Sequence, residues 1–292
     1  MGQNTTLTGC VQPFLDLPGN EGPGVWRKLQ NRRAEDMTGT RKLAIIGGSG
    51  ISGIGGFSQD EEANLPTSWG QPSAPIRIGT LAGLPTLYLA RHGEPHALAP
   101  HRINYRANLQ ALADLGATDV IGLATVGGIE ASAAAGTLWL PVQLIDYTSG
   151  RESSFFDGAP RALHHQEFAE PYDRGLRSLL ERAAEGADIR VQARGVYGCT
   201  QGPRLETAAE IARMQLDGCD LVGMTGMPEA VLARELGLSY ACLAMVVNRA
   251  AGLEAQPISL QQIQREAEGC AQRIARILDR AARLLAGSGS RG

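Results

Sequence analysis

A chain of 292 residues, 43% hydrophobic and 20% charged, is long enough to bury a substantial core as one large domain or two small ones. Its formal net charge of −3, with Arg and Lys scattered, provides no single-signed field for nucleic acid or an anionic membrane. Its five cysteines, Cys10, Cys199, Cys219, Cys242 and Cys270, are odd in number and never spaced CxxC. That usage argues against a zinc site or disulfide framework and fits a reducing cytoplasm. No run reaches the ~18 apolar residues of a membrane span, and the start lacks the basic-then-apolar order of a secretory signal.

Residues 1–40 are rich in Gly, Pro, Asn and charge without a sustained period, and read as a disordered extension with at most a short helix over 25–33. From Lys42 the texture changes. Lys42–Ile46 is a buried-strand run, followed by the loop Gly47–Gly50. Ile76–Leu81 and Thr86–Ala90 form a hairpin pattern, and Asn104–Gly116 carries helical spacing with a glycine stop. Val120–Ala124 reads as a strand broken by Gly127-Gly128, Leu138–Ile145 as another, and Pro171–Ala187 as an amphipathic helix. A strand over Arg190–Cys199, a helix over Leu205–Asp217 and a short strand over Leu221–Met224 come next. A helix starting at Pro228, a strand over Tyr240–Val247 and a long helix over Pro257–Leu285 complete the series. Short strands alternating with helices predict an α/β sheet covered on both faces, a single domain over 41–287 with a tail at 288–292. In such sheets ligands gather at the carboxyl ends of the strands, where the chemically unusual loops fall here.

Two of those loops carry Glu206 and Asn248. An ionised carboxylate only accepts hydrogen bonds and a carboxamide also donates. That combination matches the N1–H, O6 and N7 edge of a 6-oxopurine, whereas adenine reverses the donors. By themselves the two residues equally describe a Glu on a solvated helix face and an Asn in a turn. Gly47-Gly48-Ser49-Gly50 offers backbone N–H groups to an anion, but is also an ordinary tight turn. Arg91 and His92 end a strand beside Gly and Pro, where an Arg fork and a neighbouring imidazole donor suit an oxyanion. Thr125 and Thr225 each follow an apolar strand and add hydroxyls. Neutral donors around one Arg suit free phosphate. No acidic cluster at a strand end implies a metal, and no cofactor is called for.

Taken in order, IIGGSG (45–50), LARHGEPH (89–96), NYRANLQAL (104–112), DYTSGRESSFFDG (146–158), TQGPRLETAAEIA (200–212), VGMTGMPEAVLARELGLSYACLAM (222–245) and VNRAAG (247–252) resemble the purine nucleoside phosphorylase/methylthioadenosine phosphorylase family. The resemblance runs from about Lys42 to about Ala286. It implies a mixed, partly barrel-like central sheet ringed by helices, a homotrimer with active sites near subunit contacts, and a pentosyltransferase reaction. It assigns Ser49, Arg91, His92, Thr125 and Thr225 to phosphate and Met224 to the ribose. Glu206 and Asn248 fall at its base-reading positions, with Arg249 and Ala250 in the loop over the base. His165 matches a residue that reaches a neighbouring subunit's ribose, and is equally a surface His beside His164. Asn248 and His92 are the catalytic candidates.

Two departures from the family pattern set the expected substrate. Methylthioadenosine phosphorylases carry two Asp residues where this chain has Asn248 and Ala250, which argues against adenine. General purine nucleoside phosphorylases place a His near the ribose 5′-hydroxyl, about where this chain has Leu260, an apolar wall suited to a methylthio group. The expectation is phosphate-dependent cleavage of S-methyl-5′-thioinosine in purine salvage. A general 6-oxopurine nucleoside phosphorylase comes next, then a methylthioadenosine phosphorylase, with a nucleoside-binding regulatory protein as the non-enzymatic alternative.

Overall fold

The computed structural model describes residues 41–48, 55–158, 162–254 and 260–288, the side chains of Leu260, Gln262 and Ser288 excepted. The expectations for residues 1–40, for Ser49 and for the last four residues lie outside these. Eleven strands form one mixed sheet among the described residues. The strands are β1 (Leu43–Gly47), β2 (Phe57–Ala63), β3 (Ile76–Leu81), β4 (Leu84–Ala90), β5 (Asp119–Gly128), β6 (Leu138–Trp139), β7 (Gln143–Asp146), β8 (Val191–Gln192), β9 (Val196–Cys199), β10 (Leu221–Gly223) and β11 (Ser239–Arg249). The helices are α1 (Tyr105–Asp114), α2 (Arg174–Gly186), α3 (Ala208–Leu216), α4 (Gly226–Glu235) and α5 (Leu260–Ser288).

β5 and β11 are the spine, and their continuous apolar runs follow from burial on both faces. They run parallel along their whole length. Val120, Ala124 and Val126 of β5, with Tyr240, Cys242, Ala244 and Val246 of β11, pack with α1 and α4. The alternate set, Ile121 and Leu123 with Ala241, Leu243, Met245 and Val247, packs with α2 and α5. Period-two alternation thus divides each run between two cores.

On its other edge β5 changes partner. Residues 119–122 pair parallel with β1, whereas Gly127 and Gly128 pair antiparallel with β10. Leu123–Val126 are left between two diverging neighbours, and there the sheet opens. β1 and β4 deliver Gly48 and Arg91 to one side of the opening, β10 delivers Met224 and Thr225 to the other, and β11 brings Asn248 along the third.

Several predicted elements change on folding. The glycine pair at 127–128 continues β5 instead of breaking it, because the strand packs where a side chain has no room: a Cβ on Gly128 would lie 1.8 Å from the Ala133 carbonyl oxygen. The strand expected over Leu138–Ile145 divides into β6 and β7 around Pro141, and that over Arg190–Cys199 into β8 and β9 around Gly195, whose φ is +104°. The helix expected from Leu205 begins at Ala208, capped by Thr207 and Glu210 in a reciprocal capping box, so Leu205 and Glu206 remain in the loop. β2, with sequence FSQDEEA, was not expected; it is an edge strand whose charged, exposed side chains discourage pairing with another chain.

Candidate active site

The opening beside β5 is a two-chambered cleft. The inner chamber, ≈ 140 Å³, is lined by Gly48, Arg91, His92, Thr125, Glu206, Met224, Thr225, Asn248 and Ala250, with apolar neighbours including Leu205, Val222, Val247 and Ile263. The outer chamber, ≈ 1050 Å³, shares Gly48, Arg91, His92, Thr125, Met224 and Ile263. Residues as far apart in sequence as Gly48 and Ile263 therefore meet in one cavity.

Asn248 reaches it through a register shift. β11 follows β5 residue for residue up to Val246–Val126, after which Asn248 aligns with Gly127, leaving Val247 as the extra residue. Unbroken alternation would put Asn248 on the face of Val246. The bulge turns it to the face of Gly127 and Thr125 instead, as such irregularities do beside ligand sites. A Cβ at Gly127 would lie 3.4 Å from Asn248 Nδ2 and 3.3 Å from Ala250 Cα, so the glycine makes room for both. One N–H of Asn248 Nδ2 donates to the Arg249 carbonyl at 2.7 Å, leaving the second N–H and Oδ1 for a ligand. Glu206 is half-buried; Oε1 accepts from the Thr200 hydroxyl at 2.6 Å, fixing the carboxylate, and Oε2 has no hydrogen-bond partner among the described residues.

Arg91 is 1% exposed and held in a fork. Its Nε and Nη2 donate to the two oxygens of Glu229 at 2.6 and 2.7 Å, and Nη1 donates to the Leu123 carbonyl at 2.8 Å. Burial would lower the Arg91 pKa; the Glu229 carboxylate more than reverses this and raises it above the ordinary value. Glu229 also accepts from the Tyr240 hydroxyl at 2.7 Å. The guanidinium is thus fully charged, matched inside the protein, and able to offer only its remaining Nη protons to a ligand.

His92 is 6% exposed and stacks on His96 at 4.3 Å between ring centroids. Its Nδ1 lies 2.8 Å from the Leu98 carbonyl oxygen. Burial lowers its pKa to about 4, aided by Arg91 and opposed by the Leu98 bond. Thr225 precedes α4, its N–H donating to the Tyr197 hydroxyl oxygen at 3.3 Å, and its own hydroxyl makes no capping bond to the helix. Thr225 lines the cavity, where it suits an anion.

The description of the phosphorylase superfamily matches residues 42–283. The chain belongs to the phosphorylase superfamily. It is 53% identical over 222 residues to a probable S-methyl-5′-thioinosine phosphorylase of Xanthomonas campestris, covering 76% of this chain and 89% of that one. A probable 6-oxopurine nucleoside phosphorylase of Moorella thermoacetica is 39% identical, covering 76% and 85% respectively. The methylthioadenosine phosphorylase of Schistosoma mansoni, solved with adenine, superposes with a TM-score of 0.82 at 30% identity, covering 85% of this chain and 92% of that one. The fold is that of the nucleoside phosphorylases, and the protein is an enzyme of their pentosyltransferase class.

Within this phosphorylase fold, the sequence-predicted residues separate into those the cavity gathers and those it does not. Arg91, His92, Thr125, Met224, Thr225, Glu206, Asn248 and Ala250 line the cavity together. Arg249 does not: its guanidinium turns outward to the carbonyls of Ile129, Glu130 and Ala133, so its role is to pin that turn against the end of β11. His165 is exposed and lines neither chamber. Ser49 lies outside the described residues, and Leu260 opens α5 with its side chain outside them. Ile263, one helical turn after Leu260, supplies the apolar wall that the structure does describe.

Three contributors escaped the sequence reading. Glu229, which locks Arg91, sits at helical spacing with Leu232, Ala233 and Leu236; a carboxylate on the apolar face of α4 was its signal. Arg151 donates to the Met224 carbonyl at 2.9 Å, the Gln201 carbonyl at 2.9 Å and Gln201 Oε1 at 3.1 Å, tying the loops that carry Met224 and Gln201 together. Ile263 follows from extending the Leu260 face by one turn.

Proposed function

We propose that this enzyme cleaves the N-glycosidic bond of S-methyl-5′-thioinosine with phosphate, giving hypoxanthine and 5-(methylthio)ribose 1-phosphate. The observation that carries the reading is the placement of one carboxylate, Glu206, and one carboxamide, Asn248, on the wall of the same chamber as Arg91 and Thr225. Glu206 accepts from N1–H of the 6-oxopurine, and Asn248 donates to N7. An adenine in this position would face Glu206 with an unprotonated N1, leaving a charged group unpaired.

Phosphate, gripped by Arg91, Thr125, Thr225, His92 and the Gly48 backbone, lies against the sugar face opposite the leaving base. As the C1′–N9 bond stretches, the ribosyl group becomes oxocarbenium-like and the adjacent anion stabilises it. Negative charge grows on the purine, where the Asn248 donor in a partly dehydrated chamber stabilises it. A phosphate oxygen then forms the bond to C1′. Phosphate is a co-substrate, and the chemistry asks for no metal or cofactor. Met224 packs on the ribose, and Ile263 receives the apolar 5′ substituent.

The domain comprises residues 41–287. Its assembly is a homotrimer, in which the exposed His165 reaches the ribose of a neighbouring copy, and it works in the cytoplasm. The residues gathered beside the base suit phosphorolysis better than nucleoside sensing, since a sensor gains nothing from an Arg locked beside the sugar.

The decisive experiment measures product formation from methylthioinosine, inosine and methylthioadenosine, each with and without phosphate. Methylthioinosine should be used with the highest kcat/KM, and only with phosphate present. A preference for methylthioadenosine would refute the base assignment, and a preference for inosine would favour the general 6-oxopurine phosphorylase.

A further inference from the structure

We propose that His92 acts as a hydrogen-bond acceptor toward the bound anion, so that the oxyanion site reads a proton on its ligand and takes monohydrogen phosphate in preference to sulfate. The inference deepens the phosphorolysis reading and rests on it for the location of the anion.

The argument begins with a carbonyl. The Leu98 oxygen can only accept, and His92 Nδ1 lies 2.8 Å from it, so Nδ1 carries a proton. In a neutral imidazole the other nitrogen then holds a lone pair. Nε2 has no protein partner among the described residues, and the ring lines the same chamber as Gly48, Arg91, Thr125 and Thr225. A sequence motif of Arg followed by His suggests two donors for an oxyanion; the structure turns the second into an acceptor.

Burial, more than the surrounding charges, keeps the ring neutral. Burial and the nearby Arg91 and His96 hold the His92 pKa at about 4, against the opposing pull of the Leu98 carbonyl. The Arg91 charge is itself matched by Glu229. In the outer chamber the Arg77–Glu94 pair is likewise balanced, and Glu268 faces the opening from α5. The inner site therefore holds a neutral imidazole beside a compensated guanidinium, and selection must come from the pattern of donors and acceptors.

Phosphate and arsenate retain one O–H as monohydrogen dianions through the neutral range. That hydroxyl meets Nε2 as a donor. Sulfate has the same shape and charge but no proton, so one of its oxygens would oppose the Nε2 lone pair. An unmet contact of this kind weakens binding by roughly 10–100-fold.

The test uses the full chain with methylthioinosine at neutral pH. Arsenate in place of phosphate should support nucleoside cleavage with a KM within about tenfold of that for phosphate. Sulfate should inhibit with a Ki that exceeds the phosphate KM by roughly 10–100-fold. His92→Gln, which can turn an amide N–H toward the anion, should narrow the phosphate-to-sulfate ratio. Equal affinity for sulfate and phosphate at neutral pH in the unmodified protein would overturn the inference, whether or not the variant folds. Absence of any phosphate-dependent cleavage would instead overturn the phosphorolysis reading. Equilibrium competition between labelled phosphate and sulfate then still tests His92.

Discussion

The two ends of the cleft are built on different principles. At the oxyanion end, Arg91 and Glu229 are each about 1% exposed and joined by two charge-assisted hydrogen bonds, with Leu123 and Tyr240 completing the set. That end is part of the core and cannot change without disturbing it. At the base end, Glu206 and Asn248 are half-buried on loop and strand ends, held by one short side-chain bond each and by the Arg151 ties behind them. In the proposed reading, the difference teaches how such a fold would keep one nucleophile and vary the nucleobase: the anion grip is fixed by burial, whereas base choice rests on a few side chains that core stability does not constrain.

The comparison breaks first at Glu229. Glu229→Ala leaves the Arg91 guanidinium buried and unpaired, which costs about 3–5 kcal/mol. The denaturant midpoint should fall accordingly, and the phosphate KM should rise more than the nucleoside KM. An unchanged midpoint would show that the oxyanion end is not integral to the core. At the other end, Asn248→Asp should leave stability nearly intact but lower kcat on methylthioinosine by about 10²–10³-fold, the usual effect of losing a donor to a charge developing in the transition state. Relative use of methylthioadenosine should rise in the same variant. Unchanged discrimination between the two nucleosides would detach Asn248 from base recognition.

His92 gives a third measurement, in pH. Its folded pKa is about 4 against an ordinary value of 6.5, so between these values the unfolded chain binds more protons than the folded one. Stability is therefore fully present above about pH 6.5 and declines as the pH falls toward 4, by up to about 3 kcal/mol from this group. His92→Gln should flatten that part of the stability profile. A slope identical in the two proteins would mean that the ring does not resist its second proton.

Much of this architecture is legible in the chain, and the exceptions have physical causes. β5 and β11 could be read from apolar runs because both their faces are buried, and the β3–β4 hairpin from its alternation of buried and partly buried residues. β2 could not, since an exposed edge strand has the composition of a charged loop. Asn248 and Glu206 were found through chemistry, but the sequence does not display the bulge at Val247 that aims Asn248, because register is a property of two strands. Arg91 was visible as a strand-end Arg, whereas its partner 138 residues later was not. Arg249 shows the opposite failure: its position beside Asn248 predicts a ligand contact, yet three backbone carbonyls of the 129–133 turn lie within reach and capture it.

The smallest expected effect lies at the apolar wall and sharpens the contrast between the two ends. Ile263 borders both chambers from α5 and is itself only partly buried by the core. Shortening it removes contacts to the 5′ substituent without touching the anion or the base. A methyl-sized contact in an apolar pocket is worth about 1–3 kcal/mol, so Ile263→Ala should lower kcat/KM for methylthioinosine about tenfold or somewhat more. Inosine, whose 5′-hydroxyl gains nothing from that wall, should be affected less, and the phosphate KM should not move. If both nucleosides lose activity equally, Ile263 supports α5 instead of receiving the methylthio group.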